Sequence, residues 1–499
     1  MGGIRKQTIQ SSIIVYFGFA IGALNMYLYS RHGSFTTEQF GLTRLFIDFA
    51  QNIFAFASLG SIPVLYKFYP YYKDNLPDKK NDLLTWVLVA SVVGFIIITV
   101  TGIVFEPYVV RKFSERSLLF LQFYKLVYPF SLGYLFFAVF EGYSWALQKT
   151  VVTNALKETI IRIITTAFIL LYYFKLISFT QFMYLFSSLY LIITVLLIIY
   201  LWRIHQFHIT FSVSRVTKKF IKKMVGLQFF VFGGICLNAV AITISGILIA
   251  SKMGLGATAV YTLAAYVANF IEIPQRSITS ISTGVLSRAW KDKNFGQINY
   301  IYHRSSINML LIALFIFGNV WLNIAHGIHI LHIQNEYAAG LGVVFVLGIA
   351  KIIDAGTGVN SVIIATSTFW KFEFFTGVIL LSLRIPLAYI LIQRYGIIGP
   401  AYAELISQVF YNFIRYEFLR RKFNMQPFNK ETFYTVLLGI AAIAAAYFLF
   451  FNVDGWLGII IRSILFSGIL AGGMFLLKLT PDAMQLVDAA KTRIQDWKK

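Results

Sequence analysis

The chain has almost no cysteine. Cys236 is the single thiol in 499 residues, which excludes an intrachain disulfide and any cluster of thiolate metal ligands. Charge is scarce too, at 13% of residues, and acid is the scarcer kind, with 21 Asp and Glu against 43 Lys and Arg. A chain so poor in charge lacks the surface of an ordinary soluble domain. It also lacks long hydrophilic segments, since no predicted outer loop is much above about 15 residues, which leaves no room for an external catalytic domain. There is no G-x-x-x-x-G-K-[ST] phosphate loop, no paired-acid site and no nucleophile-and-base spacing. These absences argue against a built-in ATPase or any other enzyme, and no cofactor is expected.

What the sequence holds in excess is apolar: 58% hydrophobic residues, 17% aromatic, with a mean hydropathy of +0.71. A window of about 20 residues finds fourteen candidate spans. The first follows "MGGIRKQ" directly, without the small-residue cleavage site of a signal peptide, and reads as a retained span. The formal net charge of +22 follows from position. With both termini cytoplasmic, roughly 27 Lys and Arg fall on the inner side, about 7 outside and about 9 within spans. No basic domain with an aromatic motif supports nucleic-acid binding.

The predicted fold is an all-α polytopic membrane protein with 14 transmembrane helices: two parallel six-helix lobes plus two extra C-terminal helices. The N-terminal lobe covers 1–202, a cytoplasmic amphipathic linker 203–225, the C-terminal lobe 226–423, and spans 13 and 14 occupy 424–479. In the linker, Val216, Phe220, Ile221 and Met224 fall on one side and Lys218, Lys219, Lys222 and Lys223 on the other, as in an interfacial helix. Six spans per lobe return the chain to the same side, so any repeat is parallel. The tail, 480–499, opens with Thr480 as a predicted N-cap and Pro481 at the first helical position, and reads as a short helix on the inner leaflet.

Charges within spans are rare and costly, about 2.5–3.5 kcal/mol each on insertion scales, and face an interior or a wet cavity. Here they recur. Span 2 carries Arg44 and Asp48, span 5 Lys157, Glu158 and Arg162, and span 8 Glu272 and Arg276. Lys351 and Asp354 lie in span 10, Arg384 in span 11, and Glu404 and Arg415 in span 12. Glu272 and Arg276 sit one helical turn apart, each able to neutralise the other, with Pro274 between them inviting a kink. A cavity shared by the two lobes would hold these groups away from lipid. Lys157, Arg384 and Arg415 also lie close enough to span ends to snorkel toward headgroups, the alternative reading for those three. A net basic lining suits an anionic head such as a diphosphate, which arginine grips through two oxygens at once. The expected substrate-binding residues are Arg44, Arg276, Lys351, Arg162 and Arg384. Asp48, Glu272, Asp354 and Glu158 are expected to pair with them or to carry a coupling H+ or Na+. Gly356, Gly358 and Asn360 permit either a broken helix facing the cavity or close helix packing. His326, His329 and His332 recur at three-residue steps without a carboxylate nearby except Glu336, so no metal site is expected.

Several stretches resemble a known family. "TTEQFGLTRLFIDFAQNIFAFASLGSIPVLYKFYP", from 36, is similar to the loop and second helix of O-antigen-type polysaccharide flippases, with Glu38, Phe40, Gly41, Leu59 and Gly60 at the matching places. These flippases belong to the multidrug/oligosaccharidyl-lipid/polysaccharide (MOP) exporter superfamily, whose fold is shared with the MATE antiporters. "MGLGATAVYTLAAYVANFIEIPQRSITSISTGVLSRAWKDKN", from 253, resembles the eighth helix and its basic loop, while "NEYAAGLGVVFVLGIAKII" and "YGIIGPAYAELISQVF" resemble helices 10 and 12. The resemblance implies a V-shaped pair of lobes in a bacterial inner membrane. By alternating access they would move a lipid-linked oligosaccharide, of the undecaprenyl-diphosphate type, for surface polysaccharide or lipopolysaccharide biosynthesis. Membrane lipids and polysaccharide assembly proteins are its implied partners. An ion-coupled multidrug or small-molecule antiporter and a peptidoglycan-precursor flippase are the alternatives. The first span offers only Asn25 where the antiporters commonly place an acid.

Overall fold

In the computed structural model, residues 2–450 and 453–480 are described; the tail helix predicted beyond Thr480 lies outside the described residues. Every regular element among them is a helix. The chain divides into two compact units, Met1–Ala259 and Val260–Lys499.

The first unit contains α1 (Gly2–Ser30), α2 (Thr37–Ala57), α3 (Ile62–Asn75), α4 (Leu83–Val104), α5 (Glu106–Phe113), α6 (Leu118–Phe123), α7 (Val127–Ala146), α8 (Thr150–Asn154), α9 (Ile161–Tyr173), α10 (Phe179–Arg203) and α11 (Arg215–Met253). Between α8 and α9 the chain winds as a π helix, Ala155–Ile160. A capping box starts α2: Thr36 Oγ1 accepts from the Gln39 amide at 3.2 Å while Gln39 Oε1 accepts from the Thr36 amide at 3.0 Å. α7 is the central helix, packed by α2, α3, α4 and α10, and α11 lies along α2 and α3. The amphipathic second part of the predicted linker and the span after it form one unbroken helix, α11.

The second unit follows α12 (Leu255–Ala268), which carries the division, with α13 (Glu272–Lys291), α14 (Phe295–Ile330), α15 (Leu341–Gly356), α16 (Asn360–Thr366), α17 (Trp370–Tyr395), α18 (Gly399–Phe423), α19 (Lys430–Leu449) and α20 (Gly455–Leu476). Here α14 is central, touching α13, α15, α19 and α20, while α17 and α18 form a hairpin with α18 against α15. The tenth candidate span is interrupted. α15 ends at Gly356 and α16 begins at Asn360, and Gly358 takes φ +64° with its backbone against Ser306, where a Cβ would lie 2.9 Å from that residue's amide nitrogen.

Ten helical stretches among the described residues are long and apolar enough to cross a membrane, and α2 with α3, bent by 48°, makes an eleventh. One of the ten, Lys371–Phe423, contains the α17–α18 hairpin; α1 and the π-interrupted segment of α8 and α9 are not among them. The interruption shortens α9 to 13 residues, below the length of about 20 that spans a bilayer by itself.

Candidate transport site

In the first unit, Arg44 and Asp48 project from adjacent turns of α2. The Arg44 guanidinium lies 5.2 Å over the Phe40 ring and donates to Met26 Sδ at 3.3 Å. Asp48 is directed at α11, where Gly246 removes the side chain that would otherwise collide with it. One turn further on, Asn52 donates both to the Asp48 carbonyl at 2.8 Å and to Thr243 Oγ1 of α11 at 2.6 Å. Polar groups on α2 and α11 thus satisfy one another along a shared seam.

A second cluster surrounds the π turn. Lys157 donates to both carboxylate oxygens of Glu141 on α7, at 3.2 and 3.1 Å. Glu158 accepts from Arg162 at 2.8 Å, and the Arg162 guanidinium lies 5.0 Å over Phe19 of α1. Asn25 donates to the Arg162 carbonyl at 3.0 Å and accepts from Thr166 at 2.6 Å, tying α1 to α9. Glu141 is absent from the sequence-predicted set because the fourth candidate span, 118–140, ends just before it.

The second unit gathers five charges on four helices. Lys351 of α15 donates to Glu272 Oε1 of α13 at 2.5 Å and to Glu404 Oε1 of α18 at 3.0 Å. Arg384 of α17 holds the other oxygen of Glu404, and Arg276 binds Glu272 Oε2 at 3.2 Å. Three cations thus face two carboxylates. Lys351 and Arg384 are each only 16% exposed, whereas the Arg276 side chain is 68% exposed. Thr283 and Ser287, on the same face of α13, are exposed as well, and around that face so are Ser277, Gly284, Ile281 and Val285. A guanidinium and hydroxyls on a stretch long and apolar enough to cross a membrane, Leu255–Lys291, call for water and not for acyl chains.

Asp354, one turn beyond Lys351, has a different environment. Its carboxylate accepts from Gln275 at 2.7 Å, from Gln408 at 2.5 Å and from Asn412 at 3.0 Å. Asn412 Oδ1 in turn accepts from Thr357 at 3.1 Å and Asn360 at 3.2 Å, at the interruption between α15 and α16. Three neutral amides therefore hold one acid on helices that elsewhere pair acids with cations. Sequence reasoning missed these amides: charge marks a span, and uncharged Gln275, Gln408 and Asn412 do not. It also missed Glu373, which binds Arg415 through Nε at 3.0 Å and accepts from Tyr411 at 3.3 Å, and Arg462 of α20. No group of three or more His, Cys, Asp or Glu suited to a metal ion occurs among the described residues.

No protein-family model and no curated protein matches the chain. Solved structures do. The chain is similar to the lipid II flippase MurJ in its inward closed conformation, with a TM-score of 0.73 and 15% identity over 94% of this chain and 99% of that one. The fold is MurJ-like and MATE-like. An inward-facing MATE-family multidrug resistance transporter matches with a TM-score of 0.64 and 13% identity over 83% of this chain and 98% of its own. An outward-facing MATE transporter gives 0.55 and 12%, over 84% and 95%. At these identities the likeness is one of fold, and the charged clusters must be read from this chain's own residues.

Proposed function

We propose that the protein is a flippase that moves a lipid-linked oligosaccharide of the undecaprenyl-diphosphate type across a bacterial inner membrane by alternating access, with both termini cytoplasmic. The observation that carries this reading is Arg276: an exposed guanidinium on a stretch long and apolar enough to cross a membrane, backed by Lys351 and Arg384 and flanked by hydroxyls. Arg276 would take diphosphate oxygens in bidentate fashion, while Ser277, Thr283 and Ser287 offer hydrogen bonds to sugar hydroxyls. Arg44 and Arg162 supply further positive charge in the first unit. The likeness to a lipid II flippase over 94% of the chain, against 83% for a MATE transporter, supports a lipid-linked cargo over a small drug.

Two observations favour neighbouring readings. The same likeness supports a peptidoglycan precursor as cargo. Asp354 and its amides favour ion coupling: with the amides turned about, a carboxylate and amide oxygens form a hard-oxygen set suited to a small cation. Deleting the gene and identifying the glycolipid that accumulates on the inner leaflet decides the cargo. A surface-polysaccharide intermediate is the expected result; ion-driven drug efflux without any glycolipid accumulation would overturn the proposal.

A further inference from the structure

α11 is longer than a span needs. Its 39 residues reach about 58 Å at 1.5 Å per residue, nearly twice the hydrocarbon thickness of about 30 Å. Along α11, apolar exposure passes one half at Val225, 52% exposed, and continues through Phe229, 84% exposed, and Phe230; before Val225 only Ile221, 44% exposed, is an exposed large apolar residue of the helix. The turns before Val225 therefore stand at headgroup depth, Lys222 and Lys223 roughly 10 Å along the axis from Phe229.

One face of those turns is fixed to the first unit. Val216 and Met224 are buried in a core with Phe68 and Tyr72. Thr217 donates to Asp82 Oδ2 at 2.7 Å, and the Ser214 amide donates to the same oxygen at 2.9 Å. Phe220 packs against Tyr71 with ring centroids 4.9 Å apart. The opposite face carries Lys218, Lys219, Lys222 and Lys223, all exposed, and none of them has an ion pair with another residue among those described. Lys219 and Lys223 lie 5.7 and 5.8 Å from the Phe220 ring, so an aromatic face holds two ammonium groups where an acid would otherwise serve.

Four like charges within two turns repel one another. The buried face holds them together nonetheless, in a fixed array at the depth of lipid phosphates. We infer that the Lys218, Lys219, Lys222 and Lys223 face of α11 is a binding surface for the anionic headgroups of membrane phospholipid. Charge complementarity selects the partner, and the anchored helix presents the array without an ordering cost.

The test uses the full chain, purified and reconstituted in bilayers of phosphatidylcholine with and without phosphatidylglycerol. Lipid retained on re-extraction is measured by mass spectrometry, and the unfolding midpoint is followed in both bilayers. The wild type is expected to retain phosphatidylglycerol preferentially. Each lysine near an anionic surface is worth about fivefold, so the variant with all four changed to Gln should lose roughly tenfold or more of that preference, and the four-Arg variant should keep it. If the four-Gln protein does not fold, Lys222→Gln with Lys223→Gln is expected to lose a part of the preference. Equal retention of the two lipids by the wild type, or undiminished preference in the Gln variants, would overturn the inference. Full competition by inorganic phosphate would reassign the surface to a free anion and overturn the lipid assignment as well.

Discussion

Asp48 and Gly246 touch, carboxylate to backbone: a methyl group on Gly246 would lie 2.0 Å from Oδ2 of Asp48. The acid of α2 is seated in a notch on α11 that only glycine leaves open. Gly246→Ala should push the carboxylate aside at a stability cost of about 1–3 kcal/mol, the usual range for overpacking, and should slow transport more than the loss of folded protein explains. Unfolding midpoint and flipping rate in vesicles, measured on the same preparation, separate the two effects. A variant that transports normally would remove Asp48 from the cycle.

Lys351 and Arg276 share Glu272 but should behave differently when removed. Lys351 is enclosed between two carboxylates, so Lys351→Met leaves both short of a partner and should destabilise the protein by roughly 3 kcal/mol, the low end for breaking a buried pair because Arg276 and Arg384 remain. Arg276 is mostly exposed, and Arg276→Ala should leave the unfolding midpoint nearly unchanged, within about 0.5 kcal/mol, while abolishing flipping. Unimpaired flipping by Arg276→Ala contradicts the proposed substrate contact.

Asp354→Asn keeps the shape of the side chain and removes its charge. The neighbouring amides can re-pair with it, so expression and fold should survive. Transport should lose its dependence on a sodium or proton gradient, which is measured by imposing each gradient across proteoliposomes. A retained gradient dependence excludes Asp354 as the coupling group.

Arg462 is buried in α20, 2% exposed, and holds Asn323 Oδ1 at 3.2 Å, the Phe450 carbonyl at 3.2 Å and the Val453 carbonyl at 2.9 Å. With Asn323 donating to Ser463 at 2.9 Å, it joins the last two helices to α14. Arg462→Met fills the volume but orphans three acceptors, at about 1–3 kcal/mol for each group left unsatisfied. Faster hydrogen exchange should appear in α20 and the end of α19 but not in α2 or α7. Uniform exchange across the chain would show that the seam does not hold the helix pair in place.

The polytopic helical class and most residues of the charged clusters, though not Glu141 or Glu373, were legible because apolar runs and rare charges are strong one-dimensional signals. Glu272 with Arg276 could be read from a four-residue spacing. Partners on other helices could not: Lys351 reaches Glu404 across 53 positions and Lys157 reaches Glu141 across 16, and no local pattern encodes such a meeting. Neutral partners were hidden for a second reason. Gln, Asn and Thr occur in spans for many purposes, so the amides around Asp354 become conspicuous only when α13, α15 and α18 are seen to converge on it. The linker's second part reads as a lysine side and an apolar side; Val216 and Met224 of the apolar side are buried, whereas Ile221 is exposed beside the lysines, and the helix runs on into the next span with no Pro or Gly between Arg215 and Val225 to stop it.

The π turn at Ala155–Ile160 has a consequence for Lys157 and Glu158. Such a turn takes up one residue more than regular α winding, so a one-residue deletion would let it close to α winding, with α8 and α9 keeping their register and only the residues inside the turn, Lys157 and Glu158 among them, redirected. Neighbours in sequence and opposite in sign, these two residues point in different directions around the turn: Lys157 meets Glu141 on another helix and Glu158 meets Arg162 one turn further along. A single-residue deletion here would therefore break two ion pairs without removing any charged side chain.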